Sequence, residues 1–380
     1  MRFSIIRSQA RLFTILLVFS PLASANNKTL NADLLDLPAN TWVTLHSSDK
    51  SLRREAHAGV VYDSRRGTIL MFGSNTHGNS DNNSVLEFDP ANPGWVRHQP
   101  ASDPATYRIN AQGFAVAGEV GAPMPIPMHT YDAMVYDPTG DALVVFSHPN
   151  HNTTVGQYLP RPLETVTWIY QLANRRWEIF DNQGDPQPTF FAQGATYDPD
   201  RDTIIAFRNR ELWELGPDRK VWQLAHQGQV WGIHHTMVYD QRHRKAVLFG
   251  RYRGTNEVLV YTPDPVPGQP GSFELRQPGG DPVPPDQHLP AAYDPELGVF
   301  LLVVDDGDEA ISVVYDLASN RYTRLPGAGL PAQGMNYMMV YDPRHRVFLL
   351  ITGGYRIRLT VQALRLAELE ESLIFSHAFE

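Results

Sequence analysis

The sequence predicts an all-β chain folded as a six-bladed propeller, and three observations carry that prediction. The pair Tyr-Asp recurs six times, at Tyr62-Asp63, Tyr136-Asp137, Tyr197-Asp198, Tyr239-Asp240, Tyr293-Asp294 and Tyr341-Asp342, each time ending an apolar run and opening a tight turn. The spacings of 74, 61, 42, 54 and 48 residues are too long for a short solenoid repeat and suit a four-stranded blade with loops of variable length. A second apolar run follows every pair, and no long 3.6-residue period competes with the strand pattern inside the repeats.

The elements follow in order. The first unit reads GVVYD, the turn Ser64 to Gly67, TILMFG, SVLEFD and a strand around Trp95. Later third strands read TVTWIYQ, ELWELG, EVLVYT and ISVVYD, and the fourth strands are marked by Trp177, Trp222, Phe273 and Tyr322. The sixth unit supplies MMVYD, RVFLLITGG and LTVQALRL but no fourth aromatic strand. An orphan of that type, Thr41 to Leu45, precedes the first unit and is expected to complete the sixth blade, so that no blade is left half-paired. The single propeller domain then covers residues 26–366, and 367–380 form a C-terminal tail.

Residues 1–25 read as a signal peptide. Arg2, Arg7 and Arg11 precede the apolar run Leu12 to Phe19, and Ala23-Ser24-Ala25 is a small-residue cleavage site. That run is shorter than the ~20 residues a membrane span needs. The 355 residues left are expected to be periplasmic or secreted, with no membrane span. The chain has no Cys, and a domain of this size needs no disulfides to stabilise its core. Setting aside the three leader arginines leaves 29 basic residues against 41 acidic ones, a field that disfavours nucleic acid. A monomer is expected.

Up-and-down connectivity sorts the loops into two faces. One carries turns such as Asp137-Pro138-Thr139-Gly140 and Asp342-Pro343-Arg344-His345, where Asp and Pro are turn chemistry; the Tyr-Asp pairs are read as structural. The opposite face, the channel mouth, is richer. Five residues before each Tyr of Tyr-Asp stand His57, Tyr131, Ala192, His234, His288 and Asn336, at equal height on equivalent strands. Beside them are His129, His235 and Tyr337, and the loops between second and third strands add His77, His148, His151, Arg208, Arg210, Arg251, Arg253 and Arg356. The longest connections, Gln99 to Met128 and Ser147 to Glu164, flank His129 on this face and mark it as the working one; the alternative reading is a Pro- and Gly-rich flap with no ligand.

The first-strand His, the Tyr-Asp turn, an apolar second strand ending near Gly and the Trp-bearing fourth strand together resemble Kelch repeats over residues 41–366, with the double glycine kept at Gly353-Gly354. The resemblance implies three comparisons. Galactose oxidase and its relatives use copper and a Tyr-Cys cross-link, a cofactor that cannot form here because there is no Cys. Exported bacterial sialic acid mutarotases, six-bladed Kelch proteins of comparable length, act through charged residues at the channel mouth. Propeller polysaccharide lyases abstract the proton beside a uronate carboxylate with His or Tyr while Arg neutralises the carboxylate.

The chemistry explains why these residue types belong together. A proton beside a carboxylate leaves only if the developing charge is offset, which Arg does with paired N–H donors. His can act as base or acid near neutrality, and Tyr can donate to a leaving oxygen. The expected function is therefore binding of a sugar or acidic glycan and its conversion as a lyase or epimerase. His129, Tyr131, His234, His235, Arg251 and Arg253 are the catalytic candidates; His57, His77, His148, His151, Arg208, Arg210, His288, Asn336, Tyr337 and Arg356 are the binding candidates. No cofactor is required, although His148, His151 and His129 leave a divalent-metal reading open. The alternative is a non-catalytic glycan- or protein-binding module on the same face.

Overall fold

The computed structural model describes residues 29–49, 52, 57–74, 81–164, 166–182, 187–189, 191, 193–250, 256–285, 289–327, 329–332, 334, 338–353 and 358–367. The expected leader and most of the expected tail lie outside the described residues. The described chain is all-β, built of successive antiparallel sheets.

Each Tyr-Asp pair ends a first strand: Gly59–Asp63, Met134–Asp137, Gly194–Asp198, Thr236–Asp240, Ala291–Asp294 and Met338–Asp342. Each first strand pairs antiparallel with the apolar run after the turn. Aromatic fourth strands lie at the outer edges in the first and fourth sheets, as Trp95–Arg97 and Ser272–Arg276, whereas in the fifth sheet Gly279–Gly280 pairs beyond Arg321–Arg324. The third sheet departs from the expected break between second and third strands. Thr203–Leu215 runs on unbroken, its first half paired with Gly194–Asp198 and its second with Trp222–Gly232.

The N-terminal strand Val43–Ser47 pairs with Thr360–Leu364 of the last sheet, in the register Val43↔Ala363 to Ser47↔Thr360. The expected pairing of the two chain ends is therefore present. Just before it, the helix Ala32–Leu35, capped by Asn31, sinks Leu34 into the core shared by the first and last sheets.

Period-2 alternation places the core. Along the second strands successive residues face opposite neighbours, and both faces are buried, so these strands are apolar throughout. Leu70 and Phe72 pack with Leu143 and Val145, whereas Ile69 and Met71 pack with Val347, Leu349 and Ile351. The same division continues between the second and third, third and fourth, fourth and fifth, and fifth and sixth sheets. One further cluster is shared by the first and last of these sheets.

The Tyr-Asp pairs are scaffold. All six Asp carboxylates accept backbone N–H bonds from their own turns, for example Asp63 from Arg65 at 2.9 Å and Asp294 from Glu296 at 2.9 Å. Five of the tyrosines reach the Asp-bearing turn of the preceding repeat: Tyr62 to Asp342, Tyr136 to Asp63, Tyr239 to Asp198 and Asp200, Tyr293 to Asp240, and Tyr341 to Asp294. Tyr197 instead bonds Asp202 in its own turn, at 2.8 Å.

The connection 99–128 has strands of its own. It forms a meander of Arg108–Ile109, Ala115–Glu119 and Ala122–Met124. Its Tyr107, Ala115, Ala117 and Ile126 share a small core with Val155, Leu159 and Leu163 of the second long connection. The two segments bury each other's apolar residues and so build one wall beside His129.

Candidate functional site

The site begins with backbone geometry. His57, Tyr131 and His234 stand at the same register, at the end of the first strands opposite the Tyr-Asp turns, and all three have left-handed backbones, with φ of 68°, 45° and 59°. Bulky residues rarely adopt that region, and such strain gathers where a side chain must be aimed. Here the neighbouring sheet holds the bend: the His57 carbonyl accepts the N–H groups of Thr130 and Tyr131, each at 3.0 Å. Thr130 Oγ1 accepts from Gly59 N at 2.8 Å and donates to the Phe72 carbonyl at 2.7 Å. A β-carbon on Gly59 would lie 2.0 Å from the Tyr131 carbonyl oxygen, so only glycine permits this approach.

The bends bring rings together. A hydrogen bond joins the Tyr131 hydroxyl to His57 Nδ1. Ring centroids lie 4.4 Å apart for His57 and His129, 5.3 Å for Tyr131 and His234, and 6.0 Å for His129 and His151, the last pair stacked. His148 stacks on His151 at 5.4 Å. Phe191 is the hub, 4.1 Å from His151, 5.5 Å from His234, 5.6 Å from His129 and 5.7 Å from Tyr131. Five histidines and a tyrosine from four loops thus form one cluster around a phenylalanine.

Electrostatics keep part of the cluster neutral. Burial, then the neighbouring His151 and Arg208, bring His148 down to about 4, although a backbone hydrogen bond opposes them. Burial and His151 bring His234 to about 4 as well. Both imidazoles are uncharged at pH 7 and can accept a proton once an anion arrives to stabilise the charged form.

Six sequence candidates therefore converge: His57, His129, Tyr131, His148, His151 and His234. His235 does not join them. Its Nε2 accepts Gly194 N at 2.9 Å and its ring packs against Phe207 at 5.5 Å, so it ties the third sheet to the fourth. Equal register turns His234 toward the cluster, and strand alternation turns its neighbour away. Arg208 is half-buried, 3.9 Å from Glu211 and within electrostatic reach of His148, whereas Arg210 is exposed. His77, Arg251, Arg253, His288, Asn336, Tyr337 and Arg356 lie outside the described residues.

A metal is poorly served by this arrangement. Stacked imidazoles hold their nitrogens in parallel planes instead of converging on one point, and among the described residues no group of three His, Asp or Glu is placed to hold an ion. A cleft of about 1000 Å³ lies elsewhere, against the fifth sheet, lined by Asp281, Asp308, Glu309 and Arg324. Its described lining has neither His nor Tyr.

Two residues escaped the sequence reading. Phe191 precedes the register position Ala192, and nothing but that adjacency marked it. Asp132 follows Tyr131 and is 9% exposed, a carboxyl at the head of a buried strand. Compared with known proteins, the chain matches no family model and no curated relative.

Proposed function

We propose that this chain is an exported six-bladed Kelch-like propeller that binds a sugar or acidic glycan at the channel mouth and converts it by acid–base chemistry, as a lyase or epimerase. The six inter-sheet cores and the paired chain ends support the architecture. The Tyr131–His57 hydrogen bond inside the histidine cluster carries the functional reading, because it couples a hydroxyl to an imidazole at an aimed, strained position.

In the lyase form, an imidazole of the cluster takes the proton beside the uronate carboxylate. The C–H electron pair becomes a carbon–carbon double bond, and the glycosidic oxygen leaves with a proton from Tyr131. In the epimerase form the proton returns to the opposite face of the same carbon; in the mutarotase form, on a sialic acid, the base takes the anomeric hydroxyl proton as the ring oxygen is protonated, so the ring opens and recloses on the other face. The carboxylate's charge is met by Arg208, with Arg251 and Arg253 as further sequence candidates. No cofactor is needed for either step.

Purified protein should be screened on uronate polysaccharides by absorbance of the unsaturated product, and on sialic acids by anomer exchange. Turnover lost by two to four orders of magnitude in Tyr131→Phe or His57→Ala is the expected result. No turnover on either panel refutes the enzyme. One observation favours the alternative, a binding-only module: Phe191 with the stacked His148 and His151 offers flat ring faces on which a sugar's C–H face can pack.

A further inference from the structure

Between the six first strands runs a cavity of about 560 Å³ that the cluster does not use. It extends from the residues after the Tyr-Asp pairs, such as Ser64, Pro138 and Gln241, inward to Asp132 and Thr236. Its walls are apolar and adaptable, with Met134, Met237 and Met338 from three different repeats. Asp132 is the acidic group of this lining, and its Oδ2 has no hydrogen-bond partner among the described residues. A buried carboxylate with one oxygen left open is costly to ionise, so a site of this kind favours an occupant that brings its own positive charge and N–H donors.

We propose that the central channel is a second binding site, reached from the turn face, for a small organic ammonium whose apolar body lies among the methionines and whose head meets Asp132. An alkyl chain suits the walls, and an ammonium suits the carboxylate. The chain's formal charge of −9 draws cations toward it. This site is separate from the ring cluster and stands whether or not the cluster is catalytic.

The pH dependence follows from the surroundings. Burial pushes the Asp132 carboxyl up to about 7, opposed by the Thr236 hydroxyl and the Met237 N–H. The other titratable groups near it on these two segments are His129, Tyr131 and Tyr136 beside it and His234, His235 and Tyr239 across from it; the two histidines across are neutral at pH 7, and burial holds the Tyr136 and Tyr239 phenols well above their ordinary value. An ammonium binds the ionised carboxylate, so affinity rises with pH up to about 7 and then levels. Below that point it falls about tenfold per pH unit.

The test uses n-pentylammonium and its neutral counterpart 1-pentanol on the whole protein with ¹³C-methyl-labelled methionine. The expected result is saturable shifts of the Met134, Met237 and Met338 methyls by the ammonium, with Met71 and Met124 unmoved. Affinity should be at least tenfold weaker in Asp132→Asn, and more than tenfold weaker for wild type at pH 5.5 than at pH 8. Equal binding of 1-pentanol with no effect of pH overturns the proposal, since the channel is then merely apolar. Absence of channel-methyl shifts overturns it too. The pH and alcohol arms use unaltered protein, so a misfolded Asp132→Asn does not remove the test.

Discussion

The Tyr62 hydroxyl donates to Asp342 Oδ1 at 2.7 Å across 280 residues of sequence, joining the first repeat to the last. Burial and then Asp342 push this phenol far above its ordinary value, so it remains a donor wherever the protein folds. Removing the donor by Tyr62→Phe leaves a buried carboxylate short of one partner. The expected cost is about 1–3 kcal/mol, read as a lower urea midpoint at unchanged slope.

The N-terminal strand is the other tie between the chain ends. Val43–Ser47 covers Thr360–Leu364, and Trp42 Nε1 donates to Ser312 Oγ at 2.8 Å in the fifth sheet. A chain beginning at Ser48 leaves Thr360–Leu364 as a bare edge and uncovers Val361 and Ala363. Such a chain should be aggregated or rapidly cleaved in limited proteolysis, and adding a peptide of residues 29–47 should restore protection. A truncated chain as resistant as the full one would show the pairing to be dispensable.

Much of this was legible because the repeats carry both signals at once. Tyr-Asp marks the end of each first strand, and continuous apolar runs such as Thr68–Phe72 mark strands buried on both faces. Register alone placed His57, Tyr131 and His234 together, since equivalent positions on repeated strands share a height. The same register was silent on direction at His235, where one residue's step reverses the side chain. Sequence also could not show that segments 99–128 and 147–164 pack on each other, because that core is made of residues more than 30 positions apart, such as Ala117 and Val155. Asp132 was hidden for another reason: a lone acid among apolar residues has no pattern until its burial is known.

Acidification should weaken the fold in a defined window. His148, His234 and His235 titrate near 4 when folded, below the value of about 6.5 in an unfolded chain. Between those values the unfolded state binds more protons, so stability falls as pH drops from 6.5 to 4 and is level above 6.5. Asp132 acts oppositely, its folded value of about 7 adding stability as pH falls toward 3.8. Three groups outweigh one. The depressed carboxyls Asp141 and Asp202 add to the loss only at still lower pH. Urea unfolding at pH 4.5, 5.5, 6.5 and 7.5 should show a decline on the order of a few kcal/mol below 6.5, with a shallower slope in His235→Asn. Flat stability across the window would contradict the neutral, buried histidines.

The adjacent histidines His234 and His235 should fail in different ways when replaced. His234 faces Tyr131 and Phe191, at 5.3 and 5.5 Å between ring centroids, whereas His235 supports the Gly194 backbone N–H. Truncating His235 leaves that buried N–H without its acceptor, a loss of about 1–3 kcal/mol in stability. The protein that remains folded should keep its ligand affinity and any turnover. His234→Ala instead removes a ring packed against Tyr131 and Phe191. If the cluster is catalytic, it should lower kcat/KM by about two to four orders of magnitude. Measuring melting and glycan turnover on both variants separates the roles. Equal loss of turnover in both, at unchanged stability, would place His235 back among the reacting groups and undo the division drawn from strand alternation.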